Sequence, residues 1–279
     1  MSWQYGSDVR LYLVMLYPLL LQVAHPVVSA GVQEFSDFEA RPWQRLLGTL
    51  DYVTLLIYGG AGAVPAGQRL REMHKRFRGV RPDGRSYYAL EPSAYAWVHA
   101  TLLDSYVTGH AQFGRPMAPA QRDRFVGEYR GLGRLIGVRE SALPDNWADF
   151  RAYFEAMIDQ ELCATASVAS VLRAIEAAKP PPLPIPPVLW RGMRVPARRA
   201  LWLGGVGLVP ERLRERLEIP WTAADARQFR RLGRLARACT PLLPAGMRTL
   251  GPTQLRLRRS AVARGPLGTT PRTGSSATG

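Results

Sequence analysis

Cysteine is almost missing from this 279-residue chain: Cys163 and Cys239 stand far apart and form no Cys-x-x-Cys pair. That excludes a disulfide-stapled scaffold and a thiolate zinc site, and it fits a reducing, cytoplasmic setting. Histidine is scarce too, with only His25, His74, His99 and His110. A di-iron bundle needs Glu-x-x-His pairs and a zincin needs His-Glu-x-x-His; the sequence has neither. It also lacks a Walker A loop, a Gly-x-Gly-x-x-Gly turn and a Gly-x-Ser-x-Gly elbow, which sets aside the common nucleotide-binding and serine-hydrolase classes.

Long hydrophobic runs are missing as well. The most apolar stretch, Leu11 to Leu21, would rise only about 16 Å as a helix, roughly half a bilayer core. Pro18 interrupts it, and Val23-Ala24-His25-Pro26 follows where a signal peptide would be cleaved. It reads as a buried core helix, with no membrane span expected.

Lysine is reduced to Lys75 and Lys179, and arginine supplies almost all of the positive charge. The net +15 is concentrated at one end, because residues 180–279 hold 18 arginines against 4 acidic residues. Such a region suits an acidic partner or surface, or a solvated arginine-rich face. No nucleic-acid motif accompanies it, so no nucleic acid is expected.

The remaining 47% hydrophobic and 21% charged composition is that of a globular protein. Punctuation by Pro and Gly marks helices, and almost nothing alternates with period two. Residues 9–33 suit one or two buried helices broken at Pro18 and Pro26. Helices are predicted over 41–58, 66–78, 91–109, 119–136 and, as one or two, 146–179. The proline run at 180–187 reads as a linker or strap. Helices resume over 196–206, 210–218 and 222–239, and residues 264–279 read as a disordered tail. The fold class is all-α, with residues 1–263 as one helical domain enclosing the strap.

Within Arg69-Leu-Arg-Glu-Met-His74-Lys-Arg-Phe-Arg78, helical spacing puts Leu70, His74 and Phe77 on one face and Arg71, Lys75 and Arg78 on the next. An imidazole among apolar neighbours, flanked by cations, suits an iron porphyrin with its two propionates. It equally suits a half-buried histidine on an ordinary amphipathic helix. His99, Tyr106 and His110 align along 99–110 as one wall of a pocket or as core. His25 ends an apolar helix, where an imidazolium would meet the negative end of the helix dipole. Arg45 and Thr49, four residues apart, present a cation and a hydroxyl on one helix face.

In order along the chain, Leu20-Leu-Gln-Val-Ala-His25-Pro26, Arg45-Leu-Leu-Gly-Thr49, His74 followed by Gly79, Trp97-Val-His99-Ala-Thr101 and Leu208-Val-Pro-Glu-Arg-Leu-Arg214 resemble the rubber oxygenase (latex-clearing protein) and MpaB-type oxygenase family. The resemblance spans roughly residues 10 to 250. It implies a globin-like helical core with additional C-terminal helices and a b-type haem held by one proximal histidine, His74. Arg71, Arg78, His25 and His99 become further cofactor-binding candidates. Arg45 and Thr49 become catalytic or structural residues around the haem, and Glu34 or Glu39 a candidate general base. Rubber-cleaving members can carry a lysine just before the threonine; here Gly48 stands there. The expectation is therefore a haem b-dependent oxygenase using O2 on a small apolar unsaturated substrate rather than polyisoprene. The alternative is a non-catalytic helical protein that binds through its basic C-terminal region.

Overall fold

A computed structural model describes residues 2–177, 180 and 186–249. Helices carry almost all of its regular structure, and the fold class is all-α. In chain order they are α1 (Ser2–Tyr5), α2 (Leu11–Val14), α3 (Leu16–Val23), α4 (Pro26–Phe35), α5 (Pro42–Tyr58) and α6 (Ala63–His74). A two-stranded antiparallel hairpin follows, β1 (Arg78–Val80) and β2 (Ser86–Tyr88), with Gly79 opposite Tyr87. Next come α7 (Pro92–Phe113), α8 (Pro119–Ile136), α9 (Trp147–Gln160) and α10 (Ala166–Ala177). The last are α11 (Pro187–Val206), α12 (Glu211–Arg216), α13 (Ala223–Cys239) and α14 (Ala245–Arg248).

The centre is α7, buried along most of its length and packed between α3 on one side and α8 on another. Trp97 on α7 is wholly buried against Phe154 of α9, and its indole N–H donates to the Leu21 carbonyl of α3 at 3.0 Å. Leu20 and Leu21 are likewise sealed, so the apolar stretch near the N-terminus is core. No single helix among the described residues is long and apolar enough to cross a membrane, and the bend between α3 and α4 is 103°.

Proline and glycine set the boundaries as the sequence predicts in most places. Pro26, Pro42, Pro92, Pro119 and Pro187 all open helices, where a missing N–H costs nothing. Gly137 ends α8 with φ +80°, the left-handed conformation a side chain resists. Several boundaries differ from the sequence reading: α6 begins three residues early at Ala63, and α7 runs through Gly109 to Phe113. The helix predicted to reach Arg78 stops at His74, because residues 78–80 find strand partners in 86–88. And α11 begins at Pro187 and runs through Pro196, nine residues before the predicted start. Residues 181–185 of the proline run and the predicted tail at 264–279 lie outside the described residues.

The helices beyond the proline run pack on the first ones. Gly204 and Gly205 of α11 let its backbone touch α2 and α3: a Cβ on Gly204 would lie 2.1 Å from the Leu13 carbonyl oxygen. The N-terminal segment also meets the end of the described residues, with the Val9 N–H donating to the Arg248 carbonyl at 3.0 Å and Asp8 bridging Thr249.

Candidate functional site

His74 is the last residue of α6, and its helix holds the ring in place. Nδ1 lies 2.7 Å from the Leu70 carbonyl one turn back, so Nδ1 carries the proton and donates to that oxygen. The other nitrogen, Nε2, has no hydrogen-bond partner among the described residues. Aromatic edges fix the ring laterally: Phe77 at 5.4 Å and Tyr95 of α7 at 5.8 Å between centroids. Phe35 of α4 stacks on Phe77 at 4.6 Å, extending the apolar wall. Tyr95 in turn is tethered through its hydroxyl to the Ile136 carbonyl at 3.0 Å.

Burial lowers the His74 pKa, the bond to Leu70 works the other way, and the nearby Arg45 guanidinium lowers it further. The ring is therefore neutral at pH 7, with a lone pair on Nε2. Arg45 comes from the first turns of α5, which packs on α6. Protein surrounds its guanidinium closely enough for burial to lower its own pKa, yet the side chain is solvent-accessible. It makes no ion pair among the described residues. Thr49, one turn on, donates to the Arg45 carbonyl at 3.1 Å and is exposed. Around them the N-terminal half of α5 leaves apolar side chains partly exposed, Leu47 at 40%.

The close approach of α6 to α8 depends on Gly67, where a Cβ would lie 2.2 Å from the Leu135 carbonyl oxygen. A separate groove of about 430 Å³ runs along another face of α6, past Gln68, Arg69, Glu72, Met73 and Arg76. His74 does not line it.

Other candidates from the sequence have partners of their own. Arg71 donates to the Gly137 carbonyl at 2.9 Å, anchoring the end of α8. Arg78 is on β1, over the Tyr88 ring, and donates to the Lys75 carbonyl at 3.0 Å. The cationic face expected beside His74 is thus spent on structure. His99 is buried, stacked on Tyr129 at 4.6 Å, with Nε2 2.7 Å from the Tyr129 carbonyl. Tyr106 packs on Tyr129 and Phe125, and His110 meets the Tyr5 carbonyl at 3.1 Å. The wall they share is filled by protein, because α1 and α8 cover it.

His25 caps the start of α4 with its ring buried and its Nδ1 unpartnered. Burial, with help from Arg81, pulls its pKa down to about 4. It is uncharged at pH 7, so no imidazolium meets a helix dipole there. The Glu34 carboxylate accepts from the Tyr87 hydroxyl, fastening α4 to β2, and Glu39 pairs with Arg173 at 3.4 Å.

Sequence reasoning missed Tyr95 and Phe35, because contacts across helices leave no local spacing signal. It also missed a buried charge cluster. Asp104 of α7, 0% exposed, accepts from Tyr17 at 2.6 Å, Thr108 at 3.1 Å and Arg151 of α9 at 2.7 Å. An Asp inside an otherwise apolar helix face was the available clue.

The all-α chain, with a neutral, helix-anchored imidazole near an arginine, also has a recognisable family. The model for the catalytic domain of the ER-bound oxygenase mpaB/B′ and rubber oxygenase matches residues 3–238, and the chain belongs to that family. It is an oxygenase family, which implies O2 and a substrate. Among curated proteins, the uncharacterised Mb2261 of Mycobacterium bovis and Rv2237 of Mycobacterium tuberculosis are each 25% identical over 244 residues, covering 82% of this chain and 90% of theirs. No solved structure matches the chain.

Proposed function

We propose that the chain is a haem b-dependent oxygenase in which His74 supplies the axial nitrogen. The observation that carries this reading is the His74 Nδ1–Leu70 hydrogen bond at 2.7 Å, which leaves Nε2 unprotonated and unpaired. A ligating histidine is held in this way, with its second nitrogen donating to a carbonyl that fixes tautomer and orientation. Among the described residues no group of three or more His, Cys, Asp or Glu side chains is placed to hold a metal ion. Iron with several protein ligands does not fit such a site, whereas a porphyrin fills four positions itself and asks the protein for one imidazole.

Iron porphyrin, when bound, supplies the oxidising chemistry toward O2. The chain's residues supply the rest. Arg45, with no ion-pair partner among the described residues, is disposed to meet a propionate, and its field adds to the burial that lowers the His74 pKa. Phe35, Phe77 and the apolar residues of α5 offer an apolar surface suited to a small apolar unsaturated substrate. Thr49 offers a hydroxyl on the same side as Arg45. Glu34 is committed to Tyr87 and is given no proton-transfer step.

We include in this reading a single oxygenase domain that continues past the proline run, since α11 and α13 pack on α2, α3 and α7. A cytoplasmic setting is part of it too, in keeping with two free cysteines. The test is to titrate purified protein with haemin. The wild type develops a Soret band at one equivalent and, once a reductant has brought the iron to the ferrous state, consumes O2 with an unsaturated terpenoid-like probe, and His74→Ala loses most of that band. Protein that stays colourless, or a band unchanged in the variant, overturns the assignment.

A further inference from the structure

The N-terminal half of α11 is apolar yet uncovered. Val188, Leu189, Met193 and Val195 are 68%, 58%, 50% and 57% exposed, whereas Leu203 to Val206 at the other end are buried against α2, α3 and α13. Pro196 divides the two halves; its ring removes one backbone hydrogen bond and loosens the helix there. At 100° per residue, Val195, Val188, Gly192, Pro196, Leu189 and Met193 share one arc of about 160°, and Arg194, Arg198 and Arg191 occupy the opposite side; Arg199, beyond Pro196, falls within the arc but is drawn onto Asp225 of α13. Those three arginines are exposed and make no ion pair among the described residues. From Ala177 to Pro210 the sequence contains no acidic residue.

A broad aliphatic face backed by unpaired arginines is the pattern of a helix that lies in a membrane interface, its apolar side among acyl chains and its cations on acidic headgroups. We propose that this half of α11 docks the protein peripherally on an anionic lipid surface. Charge selects that occupant. A second copy of this chain would bring another basic segment, with no carboxylate between Ala177 and Pro210 to offset the charge of either. A nucleic acid would leave four large aliphatic side chains unused, and no aromatic side chain there is fully exposed for base stacking. Docking is independent of haem binding, because the helix half does not include His74, Arg45 or their neighbours.

The test is flotation of the full-length chain with vesicles of phosphatidylcholine alone and of phosphatidylcholine mixed with phosphatidylglycerol. Wild type floats with the mixed vesicles and much less with the neutral ones. Leu189→Ser with Met193→Ser, and separately Arg191→Gln with Arg194→Gln, each lower the bound fraction about tenfold, near the expected effect of two such contacts. Thermal unfolding and haem titration stay as in the wild type. The proposal fails if wild type does not float, if neutral vesicles bind it equally, or if neither variant changes binding. It also fails if light scattering shows a dimer that the serine variant dissociates while flotation is unaffected. Failure to bind haem would leave the flotation result unchanged, which separates this idea from the oxygenase reading.

Discussion

Two buried histidines give the protein an acid-sensitive side. Burial takes His99 and His25 to pKa values of about 4, against 6.5 in an open chain. Between those values the unfolded chain binds more protons than the folded one, so stability is complete above about pH 6.5 and declines toward pH 4. Each ring contributes on the order of a few kcal/mol to that slope. Urea midpoints measured across pH 4 to 7 should therefore rise with pH. His99→Gln, which can still donate to the Tyr129 carbonyl, should flatten the rise at some cost in packing. The half-buried setting of His74 beside Phe77 was legible in the sequence because its apolar neighbours share one short segment. The roles of Arg71, Arg78 and His99 were not, because a guanidinium or imidazole finds its partner across a helix crossing, and the Gly137 and Tyr129 carbonyls are invisible to local spacing.

Single contacts between helices decide the geometry of α6, α7 and α9. Gly67 permits the α6–α8 approach. Gly67→Ala should push α6 outward, lowering stability by about 1–3 kcal/mol and weakening the haem-induced Soret band, both readable in one purified variant. Arg151 neutralises Asp104, whose carboxylate has no access to water. Arg151→Met should cost about 3 kcal/mol by leaving that charge alone, measured by denaturant unfolding, and Asp104→Asn in the same chain should recover part of the loss. Helix identities were readable wherever Pro opened and Gly closed a periodic run, as in α5, α7 and α8. The β1–β2 hairpin was hidden, since three residues are too few for alternation to register. So was the first half of α11, where proline at positions 187 and 196 suggested a break the helix tolerates.

At the scale of the whole molecule, a cofactor that binds only the folded state stabilises it. Haemin at about a hundred times its dissociation constant should add about 2.7 kcal/mol and raise the melting temperature. The same addition should leave His74→Ala nearly where it was, and calorimetry of both proteins checks it. The charge asymmetry of the chain was fully legible from composition, but its meaning was not. Only the exposure of α11 shows that arginines there share a helix with uncovered aliphatic side chains.

The contact of Gly204 and Gly205 with α2 and α3 also imposes an order in time. During synthesis α2 and α3 wait for a partner made roughly 190 residues later, an interval of about 10–40 s at ordinary elongation rates. Until α11 arrives, one flank of the most apolar segment in the chain stays bare. Nascent protein stalled before residue 187 should accordingly be a better client for a holdase chaperone than the finished molecule.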